Sequence, residues 1–167
     1  MATTEAKLPI DASDLEAAMS RAGRLLTLRQ RTESEMTDRL GGAGFQAPVV
    51  AEAVARLKGL SLIDDAAFAR AWIEERMRRK GTGPAVLRAE LLAKGIDQTT
   101  VDQAVAEALP DEVAKATAVA AGLLGGVTRL PLPKQISRLS GALARRGFSE
   151  DAVQEALTAV LPPEGWD

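Results

Sequence analysis

MTDRLGGAGFQAPVVAEAV (Met36–Val54), LRAELLAKGIDQTTVDQAV (Leu87–Val105) and LSGALARRGFSEDAVQEAL (Leu139–Leu157) are three copies of one pattern. In each, a leucine stands four residues before a glycine, and an apolar or aromatic residue follows it. Further apolar residues come six and ten past the glycine. The positions are Leu40, Gly44, Phe45, Val50, Val54; Leu91, Gly95, Ile96, Val101, Val105; and Leu143, Gly147, Phe148, Val153, Leu157. Because the glycines lie 51 and then 52 residues apart, the chain reads as an array of similar units.

Apolar residues spaced i, i+4 before and after the glycine predict a helix, a tight turn and a second helix. The glycine supplies the left-handed residue that ends the first of them. Each interval leaves room for a further helix upstream: Asp14 to about Leu28, Asp65 to about Arg79, and Asp111 to about Leu124. The expected fold is all-α, with tandem three-helix repeats in three units and about nine helices, elongated and curved. The expected units are 13–63, 64–109 and 110–161, between an unpacked tail at 1–12 and a short C-terminal tail at 162–167.

Local signals agree. Thr32 and Glu35 form a capping-box pair, Asp64 or Asp65 can cap the helix carrying Phe68 and Trp72, and Ser149 can cap the last helix. Pro48, Pro84 and Pro133 sit where a first helical turn tolerates a missing N–H. No stretch alternates β-branched or aromatic residues with polar ones, so no strand is expected. The stretch Gly125 to Pro133 is expected as the longest internal loop. At 46 % hydrophobic but 3 % aromatic over 167 residues, the cores must be packed mainly by alanine and leucine, which suits short helices burying their faces against neighbours. No run of about 18 apolar residues could span a membrane. The N-terminus lacks the continuous apolar core of a secretory signal, and there is no cysteine. A cytoplasmic protein is expected.

The net charge of −2 conceals segregation. From Arg129 to Arg146 there are five basic residues and no acidic one, and from Gly147 to Asp167 five acidic and no basic. Arg70 to Lys94 carries seven basic against three acidic, and Gly95 to Lys115 five acidic against one basic. The first unit follows the rule in part, with five basic and three acidic residues from Arg21 to Leu40. Helix macrodipoles account for Arg39, Lys94, Arg145, Arg146, Glu150 and Asp151. They account less well for Arg76, Arg78, Arg79 and Lys80 together, followed by Arg88. Stacked units would align these segments as a basic stripe, the footprint of phosphate contact.

Other chemistry is poorly supported. The chain has no histidine, cysteine or tyrosine, which removes the usual general base, the thiolate nucleophile and the commonest zinc ligands. Asp64 and Asp65 read as a cap rather than a metal pair, and Gly41, Gly42 and Gly44 follow a helix rather than a strand, unlike a nucleotide loop. No catalytic residue, metal or cofactor is expected. Phe45, Phe148, Phe68 and Trp72 read as core, leaving Trp166 either packed back or free. Any nucleic-acid contact should therefore be mainly to phosphate, not by base stacking.

The run LIDDAAFARAWIEERMRRKGTGPAVLRAELLAKGI (Leu62–Ile96) resembles the RecX family, bacterial regulators of the RecA recombinase. Its marks are the LIDD turn, Phe68-Ala69, the basic helix end at Arg76 to Lys80, Gly83-Pro84, and Glu90-Leu91 leading to Lys94-Gly95-Ile96. LLTLRQRTESEMTDRL (Leu25–Leu40) is similar to the family's first-unit signature: an arginine-containing turn, a Ser or Thr, then an acidic residue before an apolar one. Together they cover roughly half the chain. The third unit adds only weak likeness, and its Gly- and Pro-rich stretch at Gly125 departs from the pattern.

The resemblance implies tandem three-helix repeats that bind in the groove of the RecA filament on single-stranded DNA. It also implies inhibition of the filament's ATPase, strand exchange and coprotease activity, within recombination regulation, DNA repair and the SOS response. The expected contacts are Arg70, Arg76, Arg79, Lys80 and Arg88 in the middle unit, flanked by Arg24, Arg29 and Arg31. Expected partners are the RecA filament and single-stranded DNA, with no membrane and a monomeric chain. The alternative is a helix-turn-helix transcription regulator, since a three-helix unit with a glycine turn also suits such a reader. Against it, the helices after the glycines are acidic or neutral. A helical scaffold without nucleic-acid contact is a third option.

Overall fold

The computed structural model describes residues 11–163. Of the expected tails, residues 1–10 and 164–167, Trp166 included, lie outside the described residues. Nine α-helices and no strand occur among the described residues: α1 (Ala12–Leu28), α2 (Glu33–Gly42), α3 (Ala47–Gly59), α4 (Asp65–Lys80), α5 (Pro84–Ala93), α6 (Gln98–Ala108), α7 (Glu112–Leu124), α8 (Leu132–Arg145) and α9 (Glu150–Val160). The fold is all-α, built from tandem three-helix repeats.

Side-chain caps define most helix starts. Asp11 accepts from Ser13 N at 2.8 Å, Asp97 from Thr100 N at 2.9 Å, Asp111 from Ala114 N at 2.9 Å, and Ser149 from Ala152 N at 3.3 Å. Thr32 and Glu35 close a full capping box on α2. The adjacent aspartates divide their labour. Asp64 accepts from Ala67 N at 2.9 Å and caps α4, while Asp65 accepts from Glu33 N at 2.9 Å and serves the start of α2. The turn glycines are left-handed, with φ of 97° at Gly44, 81° at Gly95 and 90° at Gly147. Past two of them the chain bonds back onto the preceding helix, Phe45 N to Leu40 O and Phe148 N to Leu143 O, both at 3.3 Å.

The chain forms two compact units. The first runs up to Phe68 and includes Lys94–Ile96. Its core gathers Leu15, Ala18 and Ala22 of α1, Met36 and Leu40 of α2, and Val50, Val54 and Leu57 of α3. The second comprises Ala69–Ala93 and Asp97 onward. There α7 lies close along α9, and Ala116, Ala120, Ala152 and Ala156 are buried in one core with Leu139, Leu143, Phe148 and Leu157. The expected loop is shorter than its Gly and Pro content suggested. It spans 125–131, since α8 already starts at Leu132 and Pro133 falls in its first turn. Val127 N donates to Leu124 O at 3.0 Å and Leu130 N to Val127 O at 2.9 Å, and the Val127 side chain is buried in the α7–α9 core.

A junction of one design occurs in each unit. In the first, Lys94 O accepts from Thr32 Oγ1 at 2.9 Å, and a Cβ on Gly95 would run into the Ser34 side chain. In the second, Arg146 O accepts from Gly83 N at 2.7 Å and Gly147 O from Ala85 N at 3.0 Å. A Cβ on Gly147 would lie 2.5 Å from Val86 N, and one on Gly83 would lie 2.7 Å from Gly147 C. Thr32 and Gly83 each precede the second helix of a repeat, and Lys94 and Arg146 each precede a turn glycine. At Gly95 and Gly147 the missing side chain therefore serves close approach as well as the positive φ.

Candidate binding surface

Helix α4 carries its cations on two different surfaces. Phe68, Ala69 and Ile73 are buried, which turns Trp72 and Arg76 toward α5. Trp72 Nε1 donates to Glu90 Oε2 at 2.9 Å. Arg76 Nε donates to the same oxygen at 2.8 Å and Nη2 to Glu90 Oε1, making a two-pronged ion pair. The guanidinium also lies over the Trp72 ring, 5.7 Å from its centroid. The Arg76 hydrogen bonds, against partial burial and with help from Trp72, hold the Glu90 carboxyl below the usual carboxylate range. Arg76 is thus a clamp between α4 and α5.

The remaining cations of α4 face outward. Arg70, Arg78, Arg79 and Lys80 are exposed. Arg78 and Arg79 share one carboxylate, Glu75, with Arg79 Nε at 2.7 Å. Arg70 and Lys80 form no ion pair among the described residues. Arg88, half-buried, donates to Asp102 at 3.2 Å, and Gln98 donates to the same carboxylate at 3.0 Å. Arg146 joins this end of α4, donating from Nε to Lys80 O at 3.1 Å and from Nη1 to Ala142 O at 2.9 Å. By sequence Arg146 belongs to the basic segment Arg129–Arg146 and suits the macrodipole of its own helix. Its reach to Lys80, 66 residues away, has no local signature.

In the first unit, Arg24 is exposed and Arg29 pairs with Glu35 at 3.0 Å. Burial raises the Glu35 carboxyl's proton affinity, but the hydrogen bond and charge of Arg29, the Thr32 backbone and Lys94 more than offset it, and the group titrates below the ordinary range. Arg31, expected on a contact surface, is instead turned inward and only 7 % exposed. Its Nε donates to Leu25 O at 3.4 Å near the end of α1, and Nη1 is buried without a partner among the described residues. Desolvation, then the charges of Arg29 and Arg39, lower its proton affinity.

The expectation that all four aromatic residues are core holds in part. Phe68 and Phe148 are buried, and Phe45 and Trp72 are half-buried, so none of the four offers an open stacking platform. Among the described residues no group of three His, Cys, Asp or Glu side chains could hold a metal ion. No described helix is long and apolar enough to cross a membrane.

The fold and surface define a helical-repeat protein with an outward-facing cationic helix end. Residues 18–57 match the family model described as "RecX, first three-helix domain", and residues 64–105 match "RecX, second three-helix domain". A Streptomyces lividans protein named "Regulatory protein RecX" is 34 % identical over 155 residues, covering 92 % of this chain and 82 % of that protein. A protein of the same name from Levilactobacillus brevis is 32 % identical over 157 residues, covering 93 % of this chain and 59 % of that longer relative. The crystal structure of RecX from Lactobacillus salivarius superposes with a TM-score of 0.81 at 24 % identity, over 90 % of this chain and 98 % of that one, a likeness of fold. The chain belongs to the RecX family.

Proposed function

We propose that this protein binds in the groove of the RecA filament on single-stranded DNA and inhibits its ATPase, strand exchange and coprotease activities. The observation that carries the reading is the outward end of α4, where Arg78 and Arg79 share one carboxylate and Arg70 and Lys80 have no ion-pair partner among the described residues. A cation without a tight partner can exchange hydration for a phosphate or an acidic protein group at little cost, whereas Arg76 would first have to leave Glu90. The contact set is therefore Arg70, Arg79 and Lys80, with Arg24 in the first unit, while Arg29 and Arg88, each already paired with a carboxylate, are secondary members. Arg76 and Arg31 support the fold instead.

A helix-turn-helix reader fits less well. The helices that would enter a groove, α6 with its cap Asp97 and α9, expose Asp97, Asp102 and Glu107, and Glu150, Asp151 and Glu155, which would face phosphate. The test is a titration against duplex DNA, bare single strands and RecA-coated single strands, beside the DNA-dependent ATPase of RecA. Wild type should prefer the coated strand and suppress the ATPase. The triple reversal Arg70→Glu, Arg79→Glu, Lys80→Glu should keep its helical circular dichroism and lose suppression. Equal affinity for bare and coated strands, or full suppression by the reversed variant, would overturn the proposal.

A further inference from the structure

The middle repeat leaves open a seam that the other two close. Helix α1 packs on α3, and α7 on α9. Between α4 and α6 there is instead a groove of about 300 Å³, floored by Ile73 and Ala104 and walled by Met77 and Ala108, with Arg70, Glu74 and Glu107 on its rim. The sequence supplies the cause. Counted from the turn glycines, Ala108 occupies the position of Leu57 in α3 and Val160 in α9. Leu57 is buried in the first unit's core, and Val160 packs against the α7–α9 core. With only a methyl group at 108, the corresponding volume stays empty.

The rim restricts what can enter. Arg70, Glu74 and Glu107 are exposed and form no ion pair among the described residues. Glu107 accepts one hydrogen bond, from Gln103 at 3.1 Å. A nucleic-acid backbone would bring phosphate against two carboxylates, and no aromatic wall is present to stack a base. An apolar side chain suits the floor, and Met77 can adapt to its shape. A basic neighbour would complement Glu74 and Glu107, and an acidic one Arg70.

We infer that this groove is a docking site for a protein surface that inserts a single Leu-, Ile- or Met-sized side chain flanked by a basic residue. The inference rests on the reading of the partner as a RecA filament, and it makes that contact partly protein-to-protein, beside the cations of α4. The groove is thus a repeat-specific omission: the volume that Leu57 and Val160 fill from within is filled in the middle repeat by the partner.

Ala108→Leu gives the middle repeat the residue its counterpart in α3 already has. The variant should melt at the wild-type temperature or higher, bind bare single strands as wild type does, and bind RecA-coated strands about tenfold or more weakly, as loss of one buried apolar anchor predicts. The double reversal Glu74→Lys, Glu107→Lys tests the rim without filling the groove and should also weaken coated-strand binding selectively. If wild type shows no preference for the coated strand, the filament reading fails and the inference falls with it. If wild type shows that preference and both variants retain it at wild-type affinity, the groove assignment alone is overturned.

Discussion

Replacing the turn glycine of each repeat by alanine, one repeat at a time, should separate backbone conformation from close packing. All three glycines have positive φ, between 81° and 97°, so each substitution carries the left-handed penalty of about 1–2 kcal/mol. Nothing lies within 4 Å of a Cβ built on Gly44, and Gly44→Ala should cost little more than that. At Gly95 the new carbon runs into both Ser34 Oγ and Ser34 Cβ; the hydroxyl can rotate away but Cβ moves only with the backbone of α2, and a total of about 3–5 kcal/mol is expected. At Gly147 it meets Val86 N at 2.5 Å and Val86 Cγ2 at 2.7 Å. Because one of these is backbone, the first turn of α5 must move, which strains the bonds Gly83 N to Arg146 O and Ala85 N to Gly147 O. Overpacking and the weakened hydrogen bonds bring the expected loss to about 3–5 kcal/mol.

Urea unfolding followed at 222 nm measures this, with the transition of each unit fitted separately if they part. In thermal melts each kcal/mol corresponds to about 2–4 °C for a chain of this size. Val86→Ala should rescue Gly147→Ala only in part, since the valine side chain is half of the obstruction. If Gly147→Ala and Gly44→Ala differ by less than about 0.5 kcal/mol, the junction does not constrain the glycine, and the argument from close approach is refuted.

Two further outcomes follow from the ion pairs. Glu90→Gln should destabilise the second unit by about 2 kcal/mol near neutral pH, because it leaves the Arg76 guanidinium without its counter-charge. The Glu90 carboxyl titrates lower folded than unfolded. Its contribution is therefore fully present above the ordinary glutamate value of about 4.3 and is lost as pH falls through the lower folded value. Melting curves of wild type and Glu90→Gln from pH 7 to pH 3 should converge, and a constant gap would contradict the assignment. Arg31→Met should be neutral or stabilising and should leave bare-strand affinity unchanged, because the guanidinium is buried with only a long bond to Leu25 O and no ion pair among the described residues. A loss above about 2 kcal/mol, or weakened DNA binding, would return Arg31 to the contact set.

What could be read from the chain depended on how far apart in sequence the interacting groups lie. Glycine turns, caps and i, i+4 leucines act within one helical turn, so the nine helices and the capping box at Thr32 were legible. The partners of the basic residues were not. Glu90 sits 14 residues from Arg76 and Asp102 14 residues from Arg88, and a running charge count sees only their sum. That count treated Arg76, Arg79, Lys80 and Arg88 as equivalent, whereas a carboxylate from the next helix neutralises the first and last of them. Arg31 differs again: it follows the end of α1 by three residues and turns back toward Leu25 O, buried, and nothing in RQRTE marks that burial. The α4–α6 groove was visible in principle, because aligning the repeats sets Ala108 beside Leu57 and Val160. A small residue at a core position signifies either a tighter seam or an open one, and only packing distinguishes them. Here Ala116 and Ala120 draw α7 against α9, while Ala104 and Ala108 leave α4 apart from α6. The difference is Ile73 and Met77 on the facing helix: bulk on one side and methyl groups on the other hold the seam open at the end where Ala108 fails to fill it.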